Sequence, residues 1–166
     1  MPLVDALLPE FDREMGLTRR LLECVPDGQF DWRPHPSSVT LGGLAGHLAC
    51  IPQWAVWTMT ETRHERTTEK PDGYQSPATR EAVLVIFDGH LKAGRPTIVG
   101  KTDPELHAPW TLLIEGKAMF TMPKVTVLRN FLLNHTIHHR GQLTVYLRML
   151  GVAMPSIYGP SADERL

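Results

Sequence analysis

The sequence is poor in the features that would tie it to nucleic acid, to a membrane surface or to a disulfide framework. Its 166 residues include only two cysteines, and its formal net charge is −1 at pH 7, with acidic and basic residues interspersed. Because no basic patch is evident, we expect no binding to nucleic acid or to an anionic membrane. We interpret Cys24 and Cys50 as small buried hydrophobic residues of a reducing cytoplasm, rather than as a redox pair or metal thiolates.

Export signals and several common catalytic motifs are also missing. Residues 1–5 contain no basic segment, and nowhere does an apolar stretch reach the roughly 18 residues of a membrane span, so we expect a cytoplasmic protein. The sequence shows no phosphate-binding loop, no dinucleotide fingerprint and no obvious Ser/His/Asp catalytic set. Any chemistry must therefore come from another kind of site.

The apolar residues that are present predict a single helical domain over residues 1–166. The hydrophobic content of 42% and the charged content of 21% are typical of an ordinary globular protein. Periodicity and capping residues predict four helices, which run from near Pro9 to Cys24, from Thr40 to about Thr62 with a bend at Pro52, from Ser76-Pro77 to Gly94/Pro96, and from Pro123-Lys124 to Leu150. The polar residues 63–75 predict a loop with a turn at 70–73, and residues 110–122 predict a short hairpin with a glycine turn.

The most informative feature is a pair of histidines in the last predicted helix. His135 and His139 stand four residues apart, which places both imidazoles on one helix face, within reach of one metal ion. They belong to a stripe with alternating spacings of four and three, typical of a buried helix seam: Leu128, Leu132, His135, His139, Gln142, Tyr146 and Met149. Because this stripe holds no carboxylate, the ring nitrogens need either a metal ion or a buried hydrogen-bond network.

A third ligand is expected from another helix, and His47 is the best candidate. It lies among inward-facing leucines of the second predicted helix, beside the small residues Gly46 and Ala49 that allow close helix approach. His138 lies on the adjoining stripe and is not expected to be a ligand. We interpret the other four histidines as solvated surface groups: His35, His64, His90 and His107. Thr136 stands where a zinc protease has the glutamate of H-E-x-x-H, which disfavours that class of enzyme.

Four pieces of the chain occur in the order found in a known family: Asp31-Trp32-Arg33-Pro34, Gly46-His47-Leu48, residues 135–142, and the tail at 155–164. In these pieces the chain resembles the DinB/YfiT-like family of metalloenzymes. The resemblance implies an all-α four-helix bundle with long connections, in which one histidine of the second helix and the H-x-x-x-H pair of the last long helix bind a divalent metal. It therefore implies that His47, His135 and His139 are the ligands. Histidine-only ligation suits several transition metals, and we expect zinc or nickel.

The site leaves three functional hypotheses open. Three neutral imidazoles leave a divalent ion with an open position, where it can activate water for hydrolysis or bind a thiol for transfer. Alternatively, the three-histidine site only stabilises the bundle or senses metal, in a homodimer formed through the exposed apolar surface of two helices. In a third hypothesis the histidines are a buried polar cluster without metal. Because characterised relatives include transferases and isomerases that use a small cytoplasmic thiol, the resemblance makes a metal-dependent thiol S-transferase the leading hypothesis. Its partners would be a small-molecule thiol and an electrophile.

Overall fold

Helices form most of the chain, and a small sheet is inserted before the last of them. The computed structural model describes residues 1–68 and 77–164. In chain order the elements are α1 (Leu3–Leu22), α2 (Leu41–Cys50), α3 (Gln53–Thr60), β1 (Arg63–Arg66), α4 (Arg80–Ile98), α5 (Asp103–His107), β2 (Pro109–Ile114), β3 (Lys117–Pro123), α6 (Lys124–Val127), a π-helical segment (Leu128–Asn134) and α7 (His135–Met149). Among the described residues, every helix is too short or too polar to span a lipid bilayer.

The first and third predicted helices have ends that differ from those expected. Helix α1 begins at Leu3, six residues before Pro9, rather than at the proline. The buried side chain of Leu7 continues the apolar face of the helix on the N-terminal side of Pro9, so the helix begins earlier than predicted. Helix α4 begins at Arg80, after the Thr79 side chain caps it, and it continues through Pro96. Of the predicted Ser76-Pro77 start, Ser76 lies outside the described residues, as do residues 70–73 of the predicted turn.

The second predicted helix is divided in two at the expected proline. Helix α2 ends at Cys50 and α3 begins at Gln53, because Pro52 has no backbone N–H and interrupts the hydrogen-bond ladder. This break is buried against α4, where Gly94 comes so close that an added Cβ would lie 2.8 Å from the Pro52 carbonyl oxygen. The packing holds the break one turn after His47.

The prediction of a helical fold is confirmed only in part, because the described residues are mostly helical but also form a three-stranded sheet, in the order β1-β2-β3. The predicted hairpin is present as the antiparallel pair β2 and β3. The additional strand β1 pairs with β2 in parallel, from Arg63 opposite Thr111 to Arg66 opposite Ile114. Its sequence is entirely polar, so no apolar alternation marked it as a strand. The short helix α5, with its Thr102/Glu105 capping box, lies outside the four predicted helices.

The C-terminal helix is continuous in its backbone but not in its phase. Residues 127, 128, 134 and 135 all keep right-handed helical dihedral angles, while the π-helical segment needs more residues for each turn. After that segment the buried face is formed by Thr136, Arg140, Leu143 and Leu147. The predicted buried seam is therefore wrong beyond Leu132, since Gln142 and Met149 are exposed. The two histidines lie at the edge of the buried face.

Helices α1 and α7 and the C-terminal tail meet at a buried ion pair that the sequence analysis did not identify. Arg140 Nη2 donates to Glu14 Oε2 at 2.6 Å, and the two side chains are only 2% and 5% exposed. The Tyr158 hydroxyl donates to the same carboxylate oxygen at 2.7 Å. Because a buried charge needs a partner and hydrogen bonds, this network ties the tail to the core.

Candidate metal centre

Three of the histidines converge where α2 meets α7. Helix α2 is positioned by Thr40, whose hydroxyl oxygen accepts from the Gly43 N–H at 3.0 Å and caps its first turn. His47 lies on the last turns of that helix, and His135 and His139 lie on successive turns of α7. All three side chains are half-buried. The structure therefore brings together the three residues that the sequence analysis selected.

The ring nitrogens of these histidines point at one another. The Nε2 atom of His135 lies 2.8 Å from Nε2 of His47 and 2.8 Å from Nε2 of His139. Each histidine offers one ring nitrogen, and these three nitrogens all lie within 4.8 Å of one another. Among the described residues, no further histidine, cysteine or carboxylate joins this group. We call these three residues the histidine triad.

Gln142 selects the tautomer of one member of the triad. The Nδ1 atom of His139 lies 2.7 Å from the Gln142 side-chain oxygen, which can only accept, so Nδ1 carries the proton. In a neutral imidazole the other nitrogen, Nε2, then presents a lone pair to the centre of the triad. A hydrogen bond of this kind is the usual support for a metal-binding histidine.

The surroundings keep the triad neutral at physiological pH. Burial, together with the neighbouring imidazoles, lowers the pKa of His47 to about 4, and the same two causes lower the pKa of His135 to about 4. Burial also lowers the pKa of His139, although its hydrogen bond with Gln142 acts in the opposite direction. Neutral imidazoles with available lone pairs are the form that binds a transition metal.

The donor set fits a divalent transition metal better than a hydrogen-bond network. His135 Nε2 contacts two nitrogens at 2.8 Å, but it can carry only one proton, and Nε2 of His139 is an acceptor in the tautomer that Gln142 selects. Hydrogen bonds among the three Nε2 atoms therefore satisfy one of these contacts and leave the other unsatisfied. A shared cation would be bound by all three lone pairs, with nitrogen ligands that suit zinc or nickel.

The remaining histidines divide into exposed and packed side chains. His138 is exposed on α7, and His35 and His107 are exposed as predicted. The interpretation of the other two as solvated groups is wrong. The His64 ring stacks on Trp57 with centroids 4.2 Å apart, and Nδ1 of His90 lies 3.1 Å from the Ala49 carbonyl oxygen, within hydrogen-bond distance.

A cavity of about 150 Å³ lies beside the triad, and its walls include His47, His135, Trp54, Trp57, Phe131 and Arg66. Cys50 also lines this cavity. Both cysteines are only half-buried, whereas the sequence analysis expected them to be buried hydrophobic residues. The sequence analysis did not identify Arg66 as a residue of this cavity. The parallel pairing that brings β1 to the site joins residues almost 50 positions apart, which no local pattern indicates.

Known proteins resemble this chain over almost its whole length. A sequence model described as the DinB family matches residues 1–165. The protein YrdA of Bacillus subtilis (strain 168) is 27% identical over 165 residues, which are 97% of this chain and 91% of YrdA. The crystal structure of a DinB-like protein from Bacillus cereus ATCC 10987 is similar with a TM-score of 0.72 at 24% identity, covering 93% of this chain and 97% of that one. The DinB-like protein YjoA of Bacillus subtilis gives 0.66 at 17% identity, covering 97% and 99%.

Proposed function

The chain belongs to the DinB family, and from this membership we propose that it is a metal-dependent transferase, which joins a small thiol to an electrophilic substrate. The convergence of the three Nε2 atoms of His47, His135 and His139 carries the proposal. The three imidazoles would hold a divalent transition metal, with zinc or nickel expected from nitrogen-only ligation. When bound, such an ion supplies a Lewis acid that lowers the pKa of a thiol.

The residues of the chain would contribute binding, orientation and exclusion of water. Gln142 would keep the His139 lone pair directed at the centre of the triad. The aromatic side chains of Trp54, Trp57 and Phe131 form an apolar wall beside it, which would reduce the access of competing water. Because the triad is neutral, it would leave the charge of the ion uncompensated, and this favours an anionic sulfur ligand.

Hydrolysis of a substrate by metal-activated water is supported less well. Among the described residues the metal-binding group contains no carboxylate that could act as a general base beside the triad. A purely structural metal would require a complete coordination shell, whereas the triad offers three nitrogen ligands next to a cavity. The cavity therefore supports a site that accepts a ligand from solution.

We also propose the architecture and assembly that the family membership implies. Helices α1, α2 and α4 and the helical residues 124–149 would form the four-helix bundle of a single domain, which their mutual contacts support. A homodimer remains a prediction. The exposed apolar side chains of Val145 and Met149, at the end of α7, are surface that a partner copy would cover.

The proposal can be tested with untagged protein, so that no affinity column supplies the metal. We expect about one equivalent of zinc or nickel per chain by mass spectrometry, and a loss of that metal in His47→Ala, His135→Ala and His139→Ala. The metal-loaded protein should then conjugate monochlorobimane with one of four thiols: mycothiol, bacillithiol, glutathione or cysteine.

The matched control is His138→Ala, because His138 is an exposed neighbour on the same helix. This variant should keep both the metal and the activity. If no thiol gives metal-dependent conjugation above the His139→Ala background, the transferase proposal fails. If the wild-type protein also lacks metal, the metal site itself is refuted.

A further inference from the structure

The cavity beside the histidine triad has an aromatic wall whose rings hold one another. Trp54 stacks against Phe131 with ring centroids 5.1 Å apart, and it meets Trp57 edge-on at 5.6 Å. Phe120 also stacks against Phe131, with centroids 4.8 Å apart. Trp110 is fully buried, and its Nε1–H donates to the Trp57 carbonyl oxygen at 3.1 Å. The wall is therefore preformed rather than assembled by a ligand.

The size and lining of the cavity suit one compact apolar group. Trp54, Trp57 and Phe131 line the cavity and are only half-buried, so each ring still has apolar surface that a ligand can cover. The buried side chains of Ile51 and Leu112 add to the apolar lining. The volume is about 150 Å³, and an apolar protein cavity of about this volume binds benzene. A group of the size of one ring therefore gains by leaving water for this cavity.

The polar side chains that line the cavity do not favour a charged ligand body. Among the described residues of the lining there is no carboxylate. Arg66 and Cys50 each take part in an interaction within the protein already, and Nε2 of His47 lies 2.8 Å from Nε2 of His135. An ionic group placed against the aromatic wall would lose its hydration without gaining a new partner, and this costs far more than the transfer of an uncharged group.

We propose that the cavity binds a compact, uncharged apolar group of about the size of one ring, and that the electrophilic substrate carries this group. His47 and His135 line the cavity and also belong to the triad. A substrate whose apolar group lies in the cavity therefore has its functional group beside the triad. The inference rests on the proposed function in assigning the group to the electrophile, whereas the binding of the group does not depend on the reaction.

Benzyl alcohol, 4-(hydroxymethyl)benzoate and ethanol separate the contributions of ring and charge. The benzoate carries a carboxylate at the far end of the same ring, and ethanol keeps the hydroxyl group without the ring. We expect the full-length, metal-loaded protein to bind benzyl alcohol about tenfold or more tightly than either of the others. Binding is measured by calorimetry and by the change in tryptophan fluorescence. Both ratios should persist after removal of metal with EDTA, because they arise in the cavity.

Two neighbouring leucines of β2 test whether the ring binds in this cavity. Leu112 lines the cavity, so the larger side chain of Leu112→Phe would occupy part of its volume, and we expect the affinity for benzyl alcohol to fall about tenfold or more. Leu113→Phe is the matched control, because Leu113 is half-buried and is not among the described residues that line the cavity. This variant should keep the affinity within about twofold of the wild type.

Equal or tighter binding of 4-(hydroxymethyl)benzoate or of ethanol by the wild-type protein would overturn the inference, and that comparison requires no variant to fold. An unchanged affinity for benzyl alcohol in a folded Leu112→Phe protein would also overturn it, because the ring would then bind elsewhere. If the protein binds no metal or conjugates no thiol, but shows both preferences, the proposed function fails and the ligand class of the cavity stands. If conjugation is found without these preferences, only the inference fails.

Discussion

Single residues determine the state in which the histidine triad is available to a metal. Burial opposes the charged form of each imidazole, and the neighbouring imidazoles add to this effect at His47 and His135. Gln142 directs the lone pair of His139 toward the other two rings. The site is therefore prepared for a cation by ordinary local chemistry, without a carboxylate ligand.

The neutral triad predicts that acid destabilises the metal-free protein. The pKa values of His47 and His135 are about 4 in the folded chain, against an ordinary value of 6.5. As the pH falls below 6.5 the unfolded chain takes up protons first, so the free energy of unfolding decreases until the pH approaches 4. Thermal unfolding of EDTA-treated protein between pH 7 and pH 4 measures this loss.

The comparison of two variants isolates the contribution of the triad from that of the carboxylates. His135→Gln should show a smaller decrease of the unfolding temperature over this pH range than the wild-type protein. His35→Gln should match the wild-type decrease, because His35 is exposed. If the three proteins lose stability in parallel as the pH falls, the triad is not the group responsible.

At the scale of elements, two interruptions of regular α-helix position the site. The break between α2 and α3 lies one turn after His47, and the π-helical segment lies before His135 and His139. The break is buried against Gly94 of α4, close to the Pro52 carbonyl oxygen. The π-helical segment Leu128–Asn134 lies directly before His135. Because it changes the phase of the helix, the histidines stand at the edge of the core beside the cavity, rather than within the buried face. Such irregular helical turns are frequent at functional sites.

The close approach at Gly94 predicts opposite effects of the same substitution at two positions of α4. In Gly94→Ala the new Cβ would lie 2.8 Å from the Pro52 carbonyl oxygen, and the backbone must shift, so we expect a loss of about 1–3 kcal/mol in the free energy of unfolding. A Cβ added at Gly89 would meet none of the described residues within 4 Å beyond its own stretch of helix. Gly89→Ala should therefore stabilise the protein by about 0.5–1 kcal/mol through helix propensity.

Urea denaturation measures both differences under the same conditions. The two variants share the chemical change and the helix, and they differ in what the added methyl group meets. If Gly94→Ala instead stabilises the protein, the backbone at the break can shift away from α4 without lowering the free energy of unfolding, and the prediction is wrong.

At the scale of the whole molecule, the buried ion pair joins the first helix, the last helix and the tail. Arg140 lies on the core face of α7 and binds Glu14 of α1, while the histidine pair occupies another face of the same helix. The tail is also held by Asp163, which accepts from Arg148 at 2.6 Å. Polar anchors, rather than burial of Tyr158, hold this segment, since Tyr158 is 57% exposed.

Replacing one residue of this ion pair should lower the free energy of unfolding more than replacing both. Arg140→Met leaves the Glu14 carboxylate buried without its cation, and we expect a loss of about 3–5 kcal/mol in the free energy of unfolding. The double variant Glu14→Leu/Arg140→Met should recover much of that loss, because no unpaired charge remains. Equilibrium unfolding in urea of the wild type, both single variants and the double variant gives the coupling energy directly. Additive effects would mean that the two residues act independently.

The sequence by itself determined the local parts of this protein. The spacing of His135 and His139 follows from the helical repeat, so the pair could be found without a structure, and inward-facing neighbours selected His47. The helical character, the break at Pro52 and the hairpin of β2 and β3 were predictable for the same reason, because periodicity and proline act over a few residues.

The tertiary structure alone decided the features that depend on distant partners. Strand β1 has no apolar pattern, and only pairing with β2 makes it a strand and brings Arg66 into the cavity. The phase change before His135 and the burial of Arg140 against Glu14 likewise depend on what packs around the last helix. A residue pattern encodes which groups share a helix face, whereas long-range packing decides what each face meets.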